Sequence, residues 1–250
     1  MILGIDTSAG QCAVAVISGD TLIARAAEPM AKGHAERLFP LIETALAESG
    51  LGVEGLRRIA VCTGPGSFTG LRVGVAAARG LAMGRGLPAI GVTRFEAIAA
   101  QIARPRRLNC DRLGVAIGLP EDAAAPARSE PRALEAKIGW AERRPIALAL
   151  AGGRGGVALQ AFAPDLAPLS EPTALAPDAL VDAAPEGVVR AGDGWALAGL
   201  DADLAPEGLA DPAVVAASGA TRTQGPLPGP LYLRDADAEL PREAAPRLLD

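Results

Sequence analysis

Histidine occurs once in this sequence, at position 34, and cysteine three times, at Cys12, Cys62 and Cys110, with no C-x-x-C pair and no second histidine. A zinc or iron centre of the usual His/Cys kind is therefore not expected, a metallopeptidase lacks its second histidine, and a Ser/His/Asp triad would have to use His34, with nothing in the spacing to favour one. Aromatic residues make up 3% of the chain, too few to stack along unpaired bases. Positive charge is not in excess: 24 Lys+Arg stand against 29 Asp+Glu for a net charge of −5, so no global field draws the chain onto RNA or an anionic membrane. No apolar run approaches the about 18 residues of a spanning helix. The opening Met-Ile-Leu-Gly-Ile reaches Asp6 too soon to be a secretion signal. With an odd cysteine count, these absences predict a soluble, reduced, cytoplasmic protein without a membrane partner.

What is present is core. Half of the 250 residues are hydrophobic, enough for one large domain or two of roughly 100 to 150 residues. Residues 2–5, 12–17 and 21–26 read as strands, the last two joined by the hairpin-type turn Ser18-Gly19-Asp20. Leu38, Leu41, Ile42, Ala45 and Leu46 recur at helical spacing within 33–48, and Gly50 closes that helix. A strand at 59–62, the loop Gly64 to Gly70, a small-residue helix to about 84, a strand at 88–92 and a helix at 94–103 follow. This order predicts a mixed sheet with an antiparallel edge and parallel strands joined by crossover helices.

From 104 to 145 five prolines and a cluster of arginines mark an insertion or linker, with one short helix near 131–142. The interspersed acids there favour a solvated surface over an RNA contact. Residues 146–150 and 157–162 then read as strands around the connector 151–156, with a weak third strand, a helix near 177–184 and a strand at 188–191. The second half (146–224) thus echoes the first (1–103) in pattern, and predicts two duplicated α/β halves facing each other across a cleft. A Pro-rich tail, 225–250, lies extended along the surface or docks on a neighbour.

In folds built this way, carboxylates hold a metal and backbone N–H groups hold phosphate. Asp6, Thr7 and Ser8 occupy the first connector, either as a phosphate site or as a satisfied turn left from one. The second connector offers Ala151 and glycines but neither carboxylate nor hydroxyl. The Gly64–Gly70 loop lacks the Lys-Ser/Thr of a Walker motif. Gly70, Gly74 and Ala78 line one face of the following helix with small residues, which admits either an intramolecular or an intermolecular close approach. His34 begins the amphipathic helix, where a lone histidine reads as a polar surface or capping residue.

Three strings, Ile2-Leu3-Gly4-Ile5-Asp6-Thr7-Ser8, Thr63-Gly64-Pro65-Gly66-Ser67-Phe68-Thr69-Gly70-Leu71-Arg72 and Pro230-Leu231-Tyr232-Leu233-Arg234, resemble in sequence and order those of the TsaB family, formerly YeaZ. The resemblance covers 1–102 well and 146–240 more loosely. It implies an ASKHA (actin-like, RNase H-like) α/β fold and a non-catalytic scaffold or dimerisation role supporting TsaD. In that role the ATPase TsaE joins the complex, which adds threonylcarbamoyl to an adenosine of tRNAs reading codons that begin with A. It further implies a homodimer when TsaD is absent, tRNA contact only through the complex, and ATP and metal used through TsaD and TsaE rather than bound by this chain alone. Carried over from the family's two interface helices, the partner-facing candidates are His34, Leu38, Leu41, Ile42, Ala45, Arg72, Val75 and Arg79. The chain departs from the family at the second connector, where Ala151, Gly153, Gly156 and Ala158 replace an expected Asp, Arg, Glu and Tyr. The insertion at 104–145 is also foreign to the family pattern. The alternative is an ATPase or kinase of the same fold that uses Asp6.

Overall fold

The computed structural model describes residues 1–103, 144–152, 155–205 and 207–233. Residues 104–143 of the insertion, with the short helix expected near 131–142 and Cys110, as well as Gly153 and the tail beyond 233, lie outside the described residues.

Two mixed sheets repeat one plan. In the first, β1 (Ile2–Asp6), β2 (Gln11–Ser18), β3 (Thr21–Pro29), β4 (Arg58–Cys62) and β5 (Ala89–Val92) lie in the order β3-β2-β1-β4-β5. Strands β1 to β3 are antiparallel, whereas β4 and β5 run parallel to β1. In the second, β6 (Ile146–Ala151), β7 (Val157–Phe162), β8 (Thr173–Leu175) and β9 (Val189–Ala191) lie in the order β8-β7-β6-β9, again with an antiparallel meander and a parallel strand beside its first member. This is the duplicated ASKHA plan expected from the sequence.

The first sheet carries helices on both faces, so β2 is buried along seven consecutive residues instead of alternating. Helices α1 (His34–Glu48) and α2 (Phe68–Arg85) cover one face. Helix α2 is capped at its start by Ser67, whose Oγ accepts from Gly70 N at 3.3 Å, and stopped by Gly86 at φ 63°. Helix α3 (Arg94–Ala103) follows β5, and the short α4 (Leu180–Ala183) packs against the second sheet's 3-10 turn at Trp195–Ala198.

Helix α5 (Pro212–Ala220) comes from the C-terminal stretch yet packs on β1, β2 and β4 of the first sheet. Asp211 caps it by accepting from Ala213 N at 2.8 Å. The approach is so close that a Cβ on Gly4 would stand 1.9 Å from Pro212 O. Phe95 and Ile98 of α3 and Cys62 of β4 share one apolar core with Leu148 and Leu150 of β6 and Val189 of β9. The two halves are therefore fused through side chains as well as through chain connections.

Candidate partner-binding face and closed cleft

The connector after β1 is sealed from solvent. Asp6, Thr7 and Ser8 are each fully buried. Asp6 Oδ1 accepts from Ser8 N (3.0 Å) and Ser8 Oγ (2.6 Å), and Oδ2 accepts from Gln11 Nε2 (2.8 Å), which also donates to Ala210 O. Thr7 Oγ1 donates to Gly70 O, and Ser67 N donates to Ser8 O. The glycines of the long middle motif make this closeness geometrically feasible. A Cβ on Gly66 would lie 1.9 Å from Ser8 O, one on Gly70 2.1 Å from Thr7 O, and one on Gly74 2.3 Å from Thr7 Oγ1. Two of the three small residues that left a close approach open between intramolecular and intermolecular therefore face the chain's own first connector. Both Asp6 oxygens accept hydrogen bonds inside the chain and are sealed from solvent, so this carboxylate does not fit a metal or a phosphate-bound metal.

Nearby thiols are kept neutral. Burial, with Asp6 and Glu28 adding negative potential, pushes Cys12 up to about 11. Burial beside Asp6 pushes Cys62 up as well, with its Sγ 3.4 Å from Ser8 Oγ.

The space between the halves is filled by Arg94, which is 2% exposed. Its Nε donates to Gly208 O at 2.7 Å, Nη1 reaches Pro65 O at 3.4 Å, and Nη2 lies 3.5 Å from Asp193 Oδ2. Asp193 Oδ1 in turn accepts from Ala151 N at 2.9 Å. A carboxylate thus does stand beside the second connector, supplied by Gly192-Asp193-Gly194 after β9, where a Cβ on either glycine would strike the Ala149 backbone. Sequence reasoning missed it, although an Asp between two glycines just past a strand was the available signal. Within the connector itself Gly152 N donates to Gly156 O, and Ala158 is buried in the shared core.

The interface candidates divide by which side of their helix they occupy. Leu38, Leu41, Ile42, Ala45 and Val75 are buried in the core beneath α1 and α2, in contact with the chain's own sheet. His34 is also buried, at 4% exposure, with Nε2 lacking any partner among the described residues, and makes no cap. These six side chains pack into the chain's own interior. The physical reason is that helical apolar periodicity marks the stripe facing the helix's own sheet. Arg72 and Arg79 are exposed.

What α1 and α2 offer outward is a different set. Ala35 and Phe39 of α1 and Val73, Ala76, Gly80 and Leu81 of α2 line an apolar groove of about 550 Å³. Phe39 is 48% exposed and Met83 on the same helical layer 75%, unusual for side chains of that size. The signal in sequence was a phenylalanine on the polar side of an amphipathic helix beside a helix poor in large side chains.

The third sequence motif returns to this region. Leu231 N donates to Thr63 O at 2.7 Å, and Pro228 sits against Gly91, so the chain crosses the ends of β4 and β5. Tyr232 then meets Phe68 with ring centroids 5.2 Å apart and accepts from Arg72 Nε at 3.0 Å, while the Arg72 guanidinium lies 3.7 Å above the Phe68 ring. Motifs more than 150 residues apart in sequence are one cluster in space.

Residues 26–109 match the family model described as TsaD, tRNA N6-adenosine threonylcarbamoyltransferase. The chain is 39% identical over 98 residues to the tRNA threonylcarbamoyladenosine biosynthesis protein TsaB of Escherichia coli (strain K12), and 36% over 99 residues to that of Bacillus subtilis (strain 168). These alignments cover 39% and 40% of this chain, and 42% and 43% of those proteins, so the match spans about two fifths of their length. An uncharacterized protein of Mycobacterium tuberculosis (strain ATCC 25618 / H37Rv) is 30% identical over 182 residues, which cover 57% of this chain and 86% of that one. In fold, a Pseudomonas aeruginosa structure described as similar to peptidase YEAZ superposes with a TM-score of 0.65 at 22% identity, covering 93% of this chain and 99% of that one. With the duplicated sheets, the three clustered motifs and these likenesses together, the chain belongs to the TsaB (YeaZ) family.

Proposed function

We propose that this chain serves the formation of threonylcarbamoyladenosine on tRNA as a non-catalytic scaffold, binding TsaD through the outer face of α1 and α2. The observation that carries the reading is the groove between Phe39 and the Val73–Leu81 stretch, an apolar surface that a helix of a partner would bury. The names of the curated relatives supply the pathway. In this reading the same face pairs two copies of the chain when TsaD is absent, and TsaE joins the TsaD complex. ATP and metal act through TsaD and TsaE, tRNA is met only in the complex, and the work is cytoplasmic. No helix among the described residues is long and apolar enough to cross a membrane. The ATPase or kinase alternative depends on Asp6, whose oxygens are already taken by Ser8 and Gln11.

Size-exclusion chromatography with light scattering on this chain and TsaD of the same organism tests the proposal. Phe39→Asp places a charge in the groove without touching the core, and is expected to weaken association by about 2–4 kcal/mol while leaving the thermal midpoint of the free chain within a few degrees. Leu38→Asp would unfold α1 instead, and so reports on stability alone. A wild-type chain that elutes unchanged beside TsaD would overturn the scaffold reading.

A further inference from the structure

Arg72 is exposed, yet it is held more firmly than an exposed arginine needs to be. One face of its guanidinium lies on Phe68, and its Nε is donated to Tyr232, which is itself packed on Phe68. Both rings remain about half open to solvent, Phe68 at 49% and Tyr232 at 44%. Nη1 and Nη2 have no partner among the described residues. The result is a guanidinium whose orientation is fixed by stacking and by one hydrogen bond, with the two-pronged outer edge left vacant, the geometry that receives a planar oxyanion in two parallel bonds. Pre-setting a long side chain removes much of the ordering cost that makes exposed ion pairs weak.

The position of this fork decides what it meets. Arg72 lies one helical turn before Ala76, a wall of the α1–α2 groove, and so stands on the same side of α2 next to the groove's end. We propose that Arg72 is the ionic anchor of the partner-binding face: a carboxylate of the docked protein accepts from Nη1 and Nη2, and Tyr232 is the positioning residue that aims the fork. The inference rests on the reading of the α1–α2 face given above. A protein carboxylate, rather than an RNA phosphate, is the oxyanion continuous with an apolar groove, and the chain's net charge of −5 offers nucleic acid no supporting field.

Isothermal titration calorimetry with TsaD, at low and at moderate salt, tests this on the wild type, Arg72→Lys, Arg72→Ala, Tyr232→Phe and Phe39→Asp. Arg72→Lys keeps the charge but loses the fork, and is expected to weaken binding about tenfold, close to the loss in Arg72→Ala. Tyr232→Phe keeps the ring on Phe68 and removes the hydroxyl, and is expected to weaken binding by roughly threefold to tenfold with an unchanged thermal midpoint. Wild-type affinity should fall with salt, and this dependence should flatten in Arg72→Ala. Arg72 variants that bind TsaD as the wild type does, while Phe39→Asp does not bind, would overturn the anchor and leave the groove standing. Arg72 variants that bind TsaD normally but cost the assembled complex its tRNA affinity would assign the fork to phosphate and overturn the proposal. Failure of the wild type itself to bind TsaD would overturn both readings.

Discussion

Asp6 resembles a catalytic carboxylate in sequence and behaves as a structural one in space. Its neighbours Thr7 and Ser8 were legible as a polar turn after a strand, but Gln11, which donates to Asp6, and the Ala210 carbonyl, which holds Gln11 in place, were not, because one is in the next strand and the other 199 positions from Gln11. Asp6→Asn would set an amide N–H₂ against the Ser8 or Gln11 donors. It is expected to cost about 2–3 kcal/mol in urea unfolding, with affinity for the partner per folded molecule retained. The buried thiols obey the same local rule. Cys12 ionises at about 11 in the folded chain against an ordinary 9.0. The unfolded chain therefore holds fewer protons between those values, and the contribution of Cys12 to stability is complete below pH 9 and lost as pH rises through 11. Alkylation at pH 8 followed by mass spectrometry should find Cys12 and Cys62 unmodified until denaturant is added; rapid labelling of the native chain would contradict the burial described.

Helices α1 and α2 show what periodicity reveals and what it hides. The spacing of Leu38, Leu41, Ile42 and Ala45 located α1 and its inward stripe, because burial against a sheet is the strongest constraint on a helical pattern. The outward stripe bears no such constraint from the chain's own fold, so Ala76 and Gly80 were not separable from ordinary surface, and Phe39 alone stood out, on the polar side of α1. Glycines on α2 make the distinction measurable. A methyl at Gly70 would stand 2.1 Å from Thr7 O, whereas one at Gly80 meets nothing within 4 Å. Gly70→Ala is expected to destabilise by about 1–3 kcal/mol through overpacking. Gly80→Ala should stabilise the free chain by about 0.5–1 kcal/mol through helix propensity, while narrowing the groove and weakening partner binding. Denaturant midpoints of opposite sign for the two variants would separate the inner face of α2 from its outer one; equal losses would mean that both faces are packed.

At the scale of the molecule, the duplicated strand order could be read from the recurrence of strand, connector and strand at 146–162, since each half repeats the same local alternation. The joints between the halves could not, because they depend on pairs such as Arg94 with Gly208 and Gln101 with Leu209, more than 100 residues apart. Helix α5 is the clearest case: its sequence is small and apolar all round, which states that it is buried but not that it lies on the first sheet. Arg94 joins the Gly64–Pro65 loop to Gly208 and Asp193, so one side chain ties the halves together. Arg94→Met would strip hydrogen-bond donors from Gly208 O and Pro65 O, and is expected to cost about 2–4 kcal/mol. The loss should also uncouple the halves. Trp195, buried between β6 and β9 through bonds to Ala147 O and Ala191 O, reports on the second half, and a Trp140→Phe background removes the other indole. In the wild type, Trp195 fluorescence and far-ultraviolet circular dichroism should unfold at one denaturant midpoint. In Arg94→Met the fluorescence midpoint should come first, because β8-β7-β6-β9 is the smaller sheet and loses its polar tie to the larger one. Coincident midpoints in the variant would mean that the shared apolar core of Phe95, Ile98, Leu148 and Leu150 alone makes the halves one cooperative unit.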